Sequence, residues 1–173
     1  MPTHPAIVAA VDLNSRASGI ILHGAKLAAL CQGELLVVHI VDYQSGSESD
    51  HAPFESPRQV VADMVRHARA SLVGMVHHLE LPTSHVGIRV ESGPATGTLA
   101  ELVAALHPRY FVVGQSGWGL LSPTQALTKA VAAQPGCELV IVPSTAEGSG
   151  RRLMGRVRDW VAGEPAAPSK PAR

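Results

Sequence analysis

Hydrophobic positions along the chain fall into five short runs, separated by longer stretches with helical spacing. The first, Ala6 to Val11, is apolar throughout and ends at Asp12. The second, Leu35 to Val41, is interrupted only by His39, which reads as a core histidine hydrogen-bonded to backbone. Continuous rather than alternating runs mark strands buried on both faces, as in a parallel sheet covered by helices. The third run alternates Val86, Ile88 and Val90 against Gly87 and Arg89, which predicts an edge strand with one exposed face. Tyr110–Val113 and Leu139–Val142 supply the remaining two strands.

The intervening stretches read as helices. The first is expected to start at a Ser15 cap and run to about Cys31, with Ala17, Ile21, Gly24, Ala25, Ala28 and Ala29 on its apolar face. Gly33 stands where a glycine past a helix C-terminus belongs. A long helix from Pro57 to about Leu79 follows a polar loop, Tyr43 to Ser56. Its stripe includes Val60, Val61, Met64, Val65, Ala68, Leu72, Met75 and Val76, while Arg58, Arg66 and Arg69 lie away from it. Thr96 or Thr98 is expected to cap a third helix carrying Leu99, Leu102, Val103 and Leu106, which ends at His107-Pro108. The last helix carries Ala126, Leu127, Ala130 and Val131, and Pro135-Gly136 stops it. Strands alternating with helices predict an α/β domain with an open, five-stranded parallel sheet, helices on both faces and right-handed crossovers.

The chain of 173 residues is expected to form one domain over 1–143, followed by residues 144–173. That second part comprises a linker, a basic amphipathic helix over about 151–162 and a tail disordered by composition. In Arg151–Val161 the apolar residues are Leu153, Met154, Val157, Trp160 and Val161, and the other face is basic. This segment is a candidate contact for a protein partner or a membrane surface. With 14 Lys+Arg against 14 Asp+Glu, the balanced charge argues against nucleic acid as a partner. Cys31 and Cys137 fit no metal or redox spacing and read as small buried residues. No run is long and apolar enough to span a membrane and no basic leader opens the chain, so a cytoplasmic location is expected.

Candidate chemistry concentrates between Arg109 and Pro143, which reads strand, glycine-rich loop, helix, strand. Gly114 ends the strand and Gly117 and Gly119 follow; Ser122 or Thr124 is expected to cap the next helix. A strand feeding such a loop and a helix N-terminus can seat an anion. Asp12, at the carboxyl end of the first strand, is expected in the crevice above the sheet. Adjacent His77 and His78 point in different directions on a helix, and His67 lies too far along the chain to chelate with them. No paired carboxylates, Ser/His/Asp spacing or metal set suggests an enzyme.

These residues resemble the universal stress protein family over roughly residues 5–143. The resemblance rests on Val8-Ala9-Ala10-Val11-Asp12 with Asn14-Ser15, on Val38-His39-Ile40-Val41-Asp42, on Gly93-Pro94-Ala95, on Val112-Val113-Gly114, and on Cys137-Glu138-Leu139-Val140-Ile141-Val142. It implies an adenine nucleotide alpha hydrolase-like sheet of strand order 3-2-1-4-5. It also implies a homodimer through the last strand, Leu139–Val142, and a regulatory role in stress response. In nucleotide-binding members a glycine motif holds the phosphates of ATP: glycine, two residues, glycine, nine residues, then glycine and serine or threonine. Here Gly114 and Gly117 match the first pair, and nine residues on stand Leu127 and Thr128, of which only Thr128 fits. Aligned back from Cys137, the last pair falls instead on Gln125-Ala126. The resemblance thus implies a nucleotide, ATP or AMP, with Asp12 on the base or ribose side and Val41 against the base. Gly114, Gly117, Gly119 and Thr128 would lie at the phosphates. Trp118 could stack on a purine or plug the pocket. The alternative is a dimeric partner-binding module without nucleotide, acting through Arg151–Val161.

Overall fold

The computed structural model describes residues 7–42, 56–115 and 125–143. The elements follow in the order β1 (Ile7–Ala10), α1 (Ala17–Cys31), β2 (Leu35–Val41), α2 (Pro57–His78), β3 (Val86–Ser92), α3 (Ala95–Leu106), β4 (Tyr110–Gly114), α4 (Gln125–Ala132) and β5 (Glu138–Val142). All strand pairings are parallel, in the order β3-β2-β1-β4-β5. The central strand β1 pairs Ala10 with Val38 on one side and with Val113 on the other. Strand order reverses on either side of β1, so the carboxyl ends of β1, β2 and β4 open onto the crevice where such sheets bind ligands.

Alternate residues of each strand face opposite layers. Ile7, Ala9 and Val11 pack with Ile21, Ala25 and Ala28 of α1 and Leu72 and Val76 of α2. Val8 and Ala10 pack with Leu99, Leu102 and Val103 of α3 and Val131 of α4. Burying a side chain such as Ile7, Leu72, Leu99 or Phe111 contributes about 1.5–3 kcal/mol. Small residues bring α1 down onto the sheet: a Cβ added at Gly24 would lie 2.8 Å from Leu35 Cδ1 and 3.2 Å from Ala9 Cβ. The alternating third run is an edge strand, as its pattern predicted. Its outer side is guarded, since the Arg69 guanidinium donates to the Ile88 carbonyl (3.3 Å) and Arg89 pairs with Glu91. Charges and side-chain caps of this kind block pairing with another strand.

Helix ends depart from expectation in three places. α1 is not capped by Ser15. Instead the Asn14 carboxamide accepts the Arg16 N–H (2.9 Å), because the turn after Asp12 already directs that side chain at the helix start. At its C-terminus the left-handed residue is Gln32 (φ 52°), and Gly33 contributes its N–H to the Ala28 carbonyl (2.9 Å). α3 starts without a threonine cap: Pro94 precedes the first turn, its carbonyl accepts the Thr98 N–H (3.0 Å), and both threonines lie inside the helix. α2 keeps its expected bounds to within one residue. Ser56 and Gln59 form a reciprocal capping box, and Pro57 occupies the first turn, where its missing N–H costs nothing. Cys31 and Cys137 are half-buried rather than buried. The linker, the Arg151–Val161 segment and the tail lie outside the described residues, as do Ser122 and Thr124.

Candidate nucleotide cleft

The site begins where β1 runs out. The Val11 N–H still bonds to the Val38 carbonyl (2.9 Å), and the chain then turns at Asp12. The Asn14 N–H donates to the Asp12 carbonyl (2.8 Å), and the Asn14–Arg16 bond closes the next turn. Arg16 then reaches across the crevice: its guanidinium donates to the carbonyl of Gln115, just past β4 (3.1 Å). The β1 turn and the end of β4 are therefore tied together by a cation, a group at this crevice that the expectations built on the sequence had not placed there.

His39 holds the same turn from the β2 side. Its Nδ1 lies 2.8 Å from the Val11 carbonyl. A carbonyl oxygen only accepts, so Nδ1 carries the hydrogen. The expected backbone-bonded histidine is thus observed, and its ring also lines a cleft. Burial pushes the Asp12 carboxyl above its ordinary pKa, with the opposing influence of His39 and Arg16 the smaller.

That cleft has a volume of about 450 Å³. Asp12 and Leu13 form one end of it, and His39, Ile40, Val41 and Asp42 bring in the end of β2. Met64, His67, Ala68 and Ser71 form a wall from α2, and Ala95 closes it from α3. The Gly93 N–H bonds to the Val41 carbonyl (3.1 Å), which carries the start of α3 to the end of β2. Gly93 has φ 145°, a region open chiefly to glycine. The mouth is apolar: Leu13 is 38% exposed and Met64 40%. Met64 belongs to the expected core stripe of α2, yet it is exposed and lines the cleft instead. Ser71 and His67 on the same wall lie outside the apolar stripe, so periodicity alone could not single them out.

Of the residues expected at a nucleotide, Asp12 and Val41 meet in this cleft. Gly114 lies at the same end of the sheet, paired with Val142, but does not line the cleft. A Cβ at Gly114 would meet Ile20 Cδ1 at 2.7 Å, so its lack of a side chain admits α1. Gly117, Trp118 and Gly119 lie outside the described residues; Thr128 falls within α4, its side chain likewise outside them. Among the described residues no group of three His, Cys, Asp or Glu could hold a metal ion, and no helix is long and apolar enough to cross a membrane.

Comparison with known proteins agrees with this architecture. The sequence profile of the universal stress protein family matches residues 5–127. No curated protein matches the chain. Among solved structures, universal stress protein UspA from Lactobacillus plantarum superposes with a TM-score of 0.58 at 17% identity, over 82% of this chain and 99% of that one. A protein of the universal stress protein family from Burkholderia pseudomallei gives 0.54 at 17%, over 83% and 99%. A universal stress protein in complex with cAMP gives 0.50 at 14%, over 83% and 99%. Profile, strand order and superpositions converge, and this chain belongs to the universal stress protein family.

Proposed function

We propose that this protein is a regulatory universal stress protein that binds an adenine nucleotide in the cleft at Asp12 and Val41. The observation that carries the reading is the cleft itself. It has a ligand-sized volume, mostly apolar walls and a half-buried carboxylate, and it sits at the carboxyl ends of β1 and β2. In this reading an adenine ring lies between Val41, Ala68 and Ala95, and Asp12 accepts from its amino group. Such a bond to a charged acceptor contributes about 1.5–3 kcal/mol. Phosphates would extend toward the end of β4, where Arg16 supplies a cation beside Gln115. The structure solved with cAMP supports an adenine nucleotide as the ligand class.

Occupancy of the cleft would then control a partner in a stress response, without turnover of the ligand, in a cytoplasmic homodimer. The two sheet edges support a dimer through β5. β3 is guarded by Arg69, Arg89 and Glu91, whereas β5 presents Ile141 47% exposed.

Calorimetric titration with ATP, AMP and cAMP tests the ligand, using the parent and Ser71→Trp, which adds a large ring to the cleft wall from an exposed helical position. The parent binds at least one of the three, and Ser71→Trp weakens that binding at least about tenfold. Undiminished binding by the variant would move the ligand elsewhere. No binding by the parent would leave a partner-binding module acting through Arg151–Val161.

A further inference from the structure

The bond from Arg16 to Gln115 joins two strand ends and takes up one edge of a guanidinium that has more to offer. The Arg16 N–H is held by the Asn14 carboxamide (2.9 Å) and its carbonyl accepts the Ile20 N–H (3.3 Å), so the backbone is fixed where α1 begins. The side chain then crosses to β4, where Nη1 donates to the Gln115 carbonyl (3.1 Å). The Gln115 N–H bonds in turn to the Val142 carbonyl of β5 (2.7 Å), so the group that holds the guanidinium is itself held. An exposed arginine ordinarily loses side-chain freedom when it binds an anion; here that cost is reduced because the side chain is already placed. A guanidinium carries five N–H donors in a planar fork. With Nη1 on Gln115, the Nε–Nη2 edge has the geometry for two oxygens of one phosphate.

Where this group stands relative to the cleft sets what it can bind. Asp12 and Val41 line the cleft at the ends of β1 and β2, and Arg16 lies near enough to Asp12 to oppose the effect of burial on its carboxyl. The ends of β2, β1 and β4 stand side by side at one edge of the sheet. At about 4.8 Å per strand, the way from Val41 to the end of β4 is about 10 Å, a reach that a base, a sugar and one phosphate span. A ligand whose base lies at Val41 therefore brings its first phosphate to Arg16. Second and third phosphates would pass beyond the guanidinium, and the sequence after Gln115 adds no lysine or arginine before Lys129. We infer that the cleft takes a nucleoside monophosphate and that Arg16 sets this preference: tied by Nη1 to Gln115, it receives two oxygens of a single phosphate on its other edge. The inference rests on the nucleotide reading above and adds the class of nucleotide and the residue that selects it.

The test uses AMP, adenosine and ATP as probes, titrated calorimetrically into the full-length protein, Arg16→Gln and Arg16→Lys, with and without Mg²⁺. Arg16 is exposed, so both replacements spare the core. The parent binds AMP about tenfold or more tighter than adenosine, and ATP no tighter than AMP. Arg16→Gln lowers the affinity for AMP about tenfold and changes that for adenosine by less than about twofold. Arg16→Lys keeps the charge without the planar fork, and its affinity for AMP falls between the other two. A guanidinium that served only to tie β1 to β4 would give a different result, with Arg16→Gln weakening AMP and adenosine alike. That result would overturn the inference, as would ATP binding more tightly than AMP, or AMP no more tightly than adenosine, in the parent. Each of these leaves an adenine ligand in the cleft and the nucleotide reading standing. Failure of all three probes to bind would remove that reading and the inference together.

Discussion

Gly114 is the residue at which a packing role and a ligand role make opposite predictions. It ends β4 beside the crevice and begins the glycine motif, yet an added Cβ would sit 2.7 Å from Ile20 Cδ1 and 3.5 Å from Ile20 Cγ1. Ile20 is buried in α1, so its terminal methyl must shift to admit the new Cβ. Overpacking of this kind costs about 1–3 kcal/mol. Against it, Gly→Ala gains about 0.4–1 kcal/mol by restricting the unfolded chain, since Gly114 is not among the glycines of positive φ. The net expectation for Gly114→Ala is a loss of about 0.5–2 kcal/mol. Ile20→Val removes the clashing methyl and by itself costs about 0.5–1.5 kcal/mol. In the double variant the new Cβ occupies the space the methyl vacates, so the two losses do not add, and the shortfall is about 1 kcal/mol. Urea denaturation of the parent, both single variants and the double variant gives the four stabilities, with the m-value required to stay constant. Strict additivity would refute the argument. So would an unchanged stability in Gly114→Ala combined with loss of nucleotide binding, since that outcome would assign the glycine to the ligand alone.

Two further predictions follow from the same geometry. Burial raises the Asp12 carboxyl above its ordinary 3.8, so the folded protein keeps that proton to a higher pH than the unfolded chain does. The stability linked to this group is greatest below the unfolded pKa and falls as pH rises through the folded one. Asp12→Asn removes that fall, and its thermal midpoint relative to the parent should rise between about pH 4 and neutrality; an equal difference at both ends would contradict the burial argument. At the opposite edge of the sheet, Ile141→Lys places a charge on the proposed β5 contact, and sedimentation velocity should show a dimeric parent and a monomeric variant. An unchanged mass for the variant would exclude β5 as the interface.

Most of the fold was legible in the sequence, because the information that specifies it is local and repeated. Ile7–Val11 and, apart from His39, Leu35–Val41 are apolar on both faces, which with the intervening helical stripes marks strands of a helix-covered parallel sheet, and the alternation of Val86, Ile88 and Val90 marked the edge strand. The helices followed from their stripes. Their caps were less legible, since Asn14 and Ser15, or Gln32 and Gly33, compete for neighbouring positions. The winner depends on the turn leading into or out of the helix.

The candidate site divides in the same way. Asp12 could be placed at the crevice because it follows an apolar run at the carboxyl edge of the sheet, whereas Val41 was expected there only through the family resemblance. The cleft they share has walls from α2 and α3, elements distant in the chain, and no local pattern distinguishes Met64 or His67 facing an opening from the same residues facing solvent. Arg16 bonding to Gln115, His39 holding the Val11 carbonyl and Ile20 lying over Gly114 are likewise contacts between separate segments. The sequence by itself determined which elements form and which of their faces are apolar, since periodicity and propensity act within a few residues. Which side chains meet at the crevice was decided only by the tertiary structure, where sheet order and helix packing bring together residues far apart in sequence.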